Sequence, residues 1–255
     1  MSLTRNKLIL ISTSILLLAA WLRLTDIGAD PFMADQERIS VLASKLGREG
    51  GWEVLGPRMS VGSLKHSPLT IYLYALPYRL DNSPHIAGMF TALINLIGVA
   101  VVHMIGTRYF GRITGFLAMF FFAINPVAVH HSRFIWNSNL AAPFVMLFVL
   151  STLLGYYDRK TSARIAHLPM LSLAGQCHPS LFLLAPLAII GWMHAYRFST
   201  ASRQRLIAHT CLSGLLALAL MTPWIIALYK HIHTLEYLRP ISTGSPPGWQ
   251  AVSNT

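Results

Sequence analysis

Charge is scarce in this sequence: Asp, Glu, Lys and Arg together make up 11% of 255 residues, against roughly a quarter in a soluble globular domain. A water-soluble fold of this length needs a polar exterior, and here polar residues occur only in short clusters between apolar runs. Acids are scarcer still, nine against 20 Lys plus Arg. Cysteine is almost missing. Cys177 and Cys211 fall in or beside apolar runs that the topology below puts near opposite membrane faces, so they read as small buried hydrophobes rather than a disulfide. The sequence has no GxSxG elbow, no GxxxxGK[ST] phosphate loop and no dinucleotide fingerprint. It has no HxxxH or CxxC pair to suggest a metal site. Its basic residues form no stripe and no aromatic-interleaved platform, which argues against nucleic acid as a partner. The positive excess reads instead as topology and as attraction to anionic lipid or phosphate.

What the chain has is apolar length. Hydrophobic residues are 54% of the total, and they gather in runs that match a bilayer crossing. Arg5 and Lys7 precede the run Leu8 to Leu22, which is long and lacks a small-x-small cleavage site, so it reads as an uncleaved first span. Further runs are Ile86 to Ile105, Ile113 to Val129, Leu140 to Tyr157, Ile165 to Cys177, Leu181 to Tyr196 and Leu206 to Leu228. The predicted fold class is therefore an all-α integral membrane protein with about seven transmembrane helices. Residues 1–230 form the membrane domain, and 231–255 an external segment with a disordered, Pro/Gly-rich tail.

Short loops rich in Lys and Arg stay on the cytoplasmic side. Arg5 and Lys7, Arg108 and Arg112, Arg159, Lys160 and Arg164, and Arg197, Arg203 and Arg205 all fall on one side, while the loops at 130–138 and 176–180 hold only Arg133. This pattern predicts a cytoplasmic N-terminus in a multi-pass protein of the plasma (inner) membrane. The first loop, residues 25–82, then lies outside, and six of the nine acids, Asp26, Asp30, Asp35, Glu37, Glu49 and Glu53, fall within fewer than thirty residues of it. Within it, apolar positions 39, 42 and 46 predict an amphipathic helix over Asp35 to Arg48 that stops at Gly50-Gly51 and lies on the membrane surface. A second interfacial helix is predicted from Ser67-Pro68 to just before Pro77.

Four places could carry chemistry. Asp35 and Glu37 open the first interfacial helix, where a carboxylate could serve as a general base or simply cap the helix. Lys65 and His66 precede the second, where a helix start with adjacent cations suits a phosphate oxygen, although Lys65 could equally face water. Arg133, with His130, His131, Trp136, Asn137 and Asn139, sits where the third span leaves the membrane, as a substrate contact or as interface anchoring. His178, in Gln176-Cys177-His178-Pro179, could donate to a phosphate, join Asp35 or Glu37 around a divalent cation, or make a structural hydrogen bond.

Taken in order, these segments resemble the polytopic glycosyltransferases of GT-C fold that use polyprenyl-phosphate sugars, among them protein O-mannosyltransferases and lipid A aminoarabinose transferases. Asp35-Gln36-Glu37-Arg38 resembles their acidic motif, followed by Gly51-Trp52, Leu55-Gly56-Pro57, Ser60-Val61-Gly62-Ser63 and the stretch His66 to Pro77. Gly106 to Arg112 resembles their first cytoplasmic turn, Asn125-Pro126 with Ser132 to Asn137 the end of the third span, and Leu173 to His178 the short fifth span. The resemblance covers roughly residues 5–195. It implies transfer of a sugar from a polyprenyl-phosphate donor to an acceptor hydroxyl of a lipid, glycan or protein at the extracytoplasmic face. Asp35 would be the base, and Lys65, His66, Arg133 and His178 would stabilise the leaving phosphate. Two departures stand out: Gln36 separates carboxylates that are usually adjacent, and the family normally continues through more spans, so the chain corresponds to an N-terminal portion. Two other readings fit seven spans and basic loops, a non-catalytic relative and a small transporter or lipid-binding membrane protein. Transporters place acids near the bilayer midplane, whereas the acids here gather in one loop.

Overall fold

Each of the seven apolar runs forms helix in a computed structural model, which describes residues 4–29, 31–59, 64–198 and 202–233. Ser60 to Ser63 and the segment from 234 onward, including the expected tail, lie outside the described residues. The helices are α1 (Arg5–Leu24), α2 (Ala34–Glu49), α3 (Leu69–Tyr78), α4 (Pro84–Phe110), α5 (Arg112–Ile124), α6 (Pro126–His131), α7 (Ala141–Tyr156), α8 (Thr161–Cys177), α9 (Ala185–Phe198) and α10 (Arg203–His233). Among the described residues there is no β-strand, only an isolated antiparallel bridge between Arg58 and Lys65. The chain is a multi-pass membrane protein of all-α build.

Five helical segments are long and apolar enough to cross a membrane: Arg5–Leu24, Pro84–Phe110, Ser138–Tyr156, Pro179–Phe198 and Arg203–Ile232. The other two expected spans are shorter. The run Ile113 to Val129 is interrupted because Pro126 has no N–H to continue α5; Asn125 instead caps a new helix, its side chain accepting from the Ala128 amide at 2.9 Å. The run Ile165 to Cys177 belongs to the 17-residue α8.

The two interfacial helices form as expected, but they are packed rather than afloat. Ile39, Ala43 and Leu46 of α2 meet Ile71, Tyr74, Ala75 and Tyr78 of α3 in a cluster that also takes in Ala87 of α4 and Cys177 of α8. Burying each large apolar side chain is worth about 2 kcal/mol. Gly47 permits this approach, since a Cβ there would lie 2.5 Å from the Ala75 carbonyl oxygen. At the end of α2, Gly50 and Gly51 adopt φ of 75° and 111°, left-handed values that side chains resist. The second helix runs one residue through Pro77 to Tyr78.

Buried polar groups then pin α3 to the bundle. Ser67 Oγ donates to Gln176 Oε1 at 2.8 Å, Thr70 to Asn137 Oδ1 at 2.7 Å, and Asn95 Nδ2 to the Asn139 carbonyl at 2.8 Å. Away from water such groups must find protein partners. These bonds fix where the loops at one end of the bundle meet.

Candidate active site

At that end the first turn of α2, residues 56–59 and 64–66, the loop after α6 and the turn after α8 converge. Asp35, Arg58, His66, Trp136, Asn137 and His178 line a cavity of about 90 Å³. Three of the six residues singled out from sequence, one carboxylate and two imidazoles, thus share one space.

Asp35 is not spent as a cap. Met33 occupies the N-cap position of α2, and the Asp35 carboxylate sits in the first turn, half-exposed and 3.5 Å from Arg38. The N-terminal helix dipole favours negative charge there. His66 comes from an antiparallel ribbon whose bonds are Gly56 N–H to the His66 carbonyl at 2.8 Å, His66 N–H to the Pro57 carbonyl at 2.9 Å and Met59 N–H to the Leu64 carbonyl at 2.8 Å. Burial pushes the His66 imidazole below its ordinary value of 6.5, the neighbouring His178 pushes the same way, and Asp35 opposes. Its Nδ1 is buried with no hydrogen-bond partner among the described residues. Leaving such a nitrogen unpaired costs roughly 1–3 kcal/mol, so it marks a position suited to a ligand oxygen. The His178 ring, 6.4 Å away between centroids, is held by a 2.7 Å bond between its Nδ1 and Ser180 Oγ.

The other sequence candidates go elsewhere. Glu37 is two residues from Asp35, about 200° around the helix, and opens into a groove of about 740 Å³ with Lys45, Arg48 and Tyr78. It is not brought to the cavity. Lys65 is adjacent to His66 but outside the lining; its carbonyl accepts from the Trp224 indole at 3.3 Å. Arg133 departs furthest from expectation. Its guanidinium donates twice to the Leu22 carbonyl, at 2.6 and 3.1 Å, and lies 3.9 Å from Asp26. A cation on the last carbonyls of a helix complements both orphan acceptors and dipole, so Arg133 caps α1. Replacing it by Met is expected to lower stability by about 1–3 kcal/mol while leaving turnover per folded molecule unchanged, as read by thermal unfolding in detergent beside an activity assay.

The cavity also contains Arg58, which sequence reasoning passed over within the Gly56-Pro57-Arg58 stretch. It is positioned by the ribbon opposite Lys65, and no local pattern forecasts such pairing. Next to the cavity and sharing Trp136 with it, Met33, Gln36, His130, His131 and Phe134 line a largely apolar cleft of about 460 Å³. Among the described residues no three His, Cys, Asp or Glu side chains are grouped to hold a metal ion.

With this geometry in place, comparison with known proteins gives a family. Residues 65–227, more than half of the chain, match the family described as dolichyl-phosphate-mannose-protein mannosyltransferase. The chain belongs to that family. A solved structure, ArnT from Cupriavidus metallidurans bound to undecaprenyl phosphate, is similar with a TM-score of 0.58 and 17% identity, over 88% of this chain. At that identity the likeness concerns the fold, and it supports the GT-C architecture. The chain spans 41% of that protein's length. No curated protein matches. The family match begins at Lys65 and so takes in His66, Arg133 and His178, whereas Asp35 lies before it.

Proposed function

We propose that the chain is the N-terminal catalytic part of a membrane glycosyltransferase that moves a sugar from a polyprenyl-phosphate donor to an acceptor hydroxyl. The observation that carries this reading is the single cavity lined by Asp35, His66 and His178. The carboxylate takes the acceptor proton as its oxygen attacks the anomeric carbon, and the bond from that carbon to the phosphate oxygen breaks, with inversion. The departing polyprenyl phosphate gains one negative charge. Arg58 and the unpartnered His66 nitrogen are the groups in the cavity that can meet it, and donors placed where charge develops supply much of a catalyst's effect. The apolar cleft beside Trp136 offers an entry for a carrier that stays in lipid. The acceptor can be a lipid, a glycan or a protein.

The basic loops support a cytoplasmic N-terminus in a protein of the plasma (inner) membrane, with this cavity on the opposite face. Two measurements test the reading. The purified chain in liposomes, supplied with lipid, glycan and peptide hydroxyl acceptors, should release polyprenyl phosphate from a polyprenyl-phosphate hexose or pentose faster than empty liposomes do; release at background with both donors rejects the activity. A Met59→Cys variant lacking Cys177 and Cys211 should react with an impermeant thiol reagent from outside intact cells. Labelling only after lysis rejects the placement.

A further inference from the structure

The ribbon that carries Arg58 and His66 is poorly supported by its own bonds. Among the described residues, its two arms at 56–59 and 64–66 share three backbone hydrogen bonds and one bridge, and a lone two-stranded ribbon is marginal in stability. A side chain that must sit within a few tenths of an ångström of a reacting group needs a firmer base than that. The support comes from outside, on both sides of His66. The Ser67 hydroxyl, one residue after it, is tied to Gln176 near the end of α8 at 2.8 Å. The Lys65 carbonyl, one residue before it, is tied to Trp224 of α10 at 3.3 Å.

Trp224 lies on the buried stripe of α10 with Leu206 and Ser213, and not on the helix's open face. Ile225 and Ile226 beside it are 44% and 49% exposed, and Leu215, Leu218 and Leu220 earlier in α10 are 45–64% exposed, whereas Trp224 is 7% exposed. An indole N–H is a donor with no acceptor capacity. Once the ring is buried, the Lys65 carbonyl is the partner it has.

We propose that Trp224 is a positioning residue for the sugar-transfer site: its indole N–H, with the Gln176–Ser67 bond, clamps the backbone on either side of His66 and so sets where that imidazole meets Asp35 and His178. This rests on the reading of function above. Trp224 touches no substrate and acts only through the ribbon. The clamp joins α10, the last described helix, and α8 to the residues on either side of His66, so helix packing in the membrane and geometry at its surface are coupled through these two bonds.

The test is Trp224→Phe, which keeps an aromatic ring and removes the donor. Carrier release is expected to fall about tenfold, in line with the sensitivity of catalysis to small misplacement, with the protein still monodisperse in detergent. The imidazole of His66, followed by NMR in the same samples, is faced by Asp35 of α2, Arg58 of the ribbon and His178 after α8. Its titration midpoint should rise toward 6.5 as the loosened ribbon admits water. In a His66→Ala background the further loss from Trp224→Phe should vanish, the sign of coupling through that residue. An unshifted His66 titration, or a loss that persists without His66, overturns the proposal. Should the Phe variant not stay monodisperse, Trp224→Met, which also lacks a donor, carries the same three readouts. The titration needs no substrate, so if no carrier is released by any variant, the reading of function fails while the clamp is still judged by the imidazole.

Discussion

Replacing Asp35 by Asn should lower the rate of carrier release and of transfer by ~10²- to 10⁴-fold, the usual worth of a positioned general base. The substitution keeps the shape of the side chain and its place in the first turn of α2, and the partner it loses charge with is Arg38, itself largely exposed, so the fold should be unaffected. An amide cannot accept the hydroxyl proton, and the acceptor then attacks as a neutral alcohol. The activity that remains would come from holding donor and acceptor together and from Arg58 and His66 near the phosphate. Glu37→Gln is the matched control. It removes a carboxylate two residues away but on the far side of the same helix, and it should leave the rate unchanged. Initial rates in liposomes, normalised to folded protein, decide between them: equal losses in both would mean that overall negative charge on α2, and not a base in the cavity, is what matters.

That contrast shows where sequence was informative and where it was not. Apolar runs and basic loops foretold the membrane helices, because lipid leaves the backbone few ways to satisfy itself and composition follows. The amphipathic period over Asp35 to Arg48 foretold α2 in the same way. It also held the separation of Asp35 from Glu37, since residues two apart on a helix face different ways. The break at Asn125-Pro126 was legible too, as a cap followed by a residue without an N–H, within a run long enough to read as one span. What could not be read was which distant group each side chain meets. Arg133 stands among aromatic and polar residues at the end of a span, and nothing local says that its guanidinium will find the carbonyl of Leu22. His66 reaches Asp35 only because α2 packs on α3 through Gly47 and because the ribbon folds back on Gly56. Trp224 looks like one more apolar residue on a lipid-facing helix until its indole is seen against Lys65.

The same dependence on distant contacts makes Gly56 the residue where the smallest change should cost most. Its amide donates to the His66 carbonyl, and a Cβ added to it would stand 2.5 Å from the Ser67 carbonyl oxygen and 3.0 Å from that of His66. Both obstacles are backbone atoms. Neither can turn away as a side chain would, and their strand is held by Gln176 and Trp224. Gly56→Ala must therefore part the two strands and carry His66 with them. A shift on the order of 1 Å is enough to cost ~10²-fold in rate, while the crowding itself should cost about 1–3 kcal/mol of stability. Gly50→Ala separates the two effects. At Gly50 a Cβ would meet nothing within 4 Å, yet φ is +75°, so alanine there adds backbone strain of roughly 1–2 kcal/mol at the far end of α2 from Asp35. Thermal unfolding should register both variants, and carrier release only the first. If Gly56→Ala turned over at the wild-type rate, the position of the ribbon would not govern the chemistry, and neither His66 nor the clamp that holds it would belong in the mechanism.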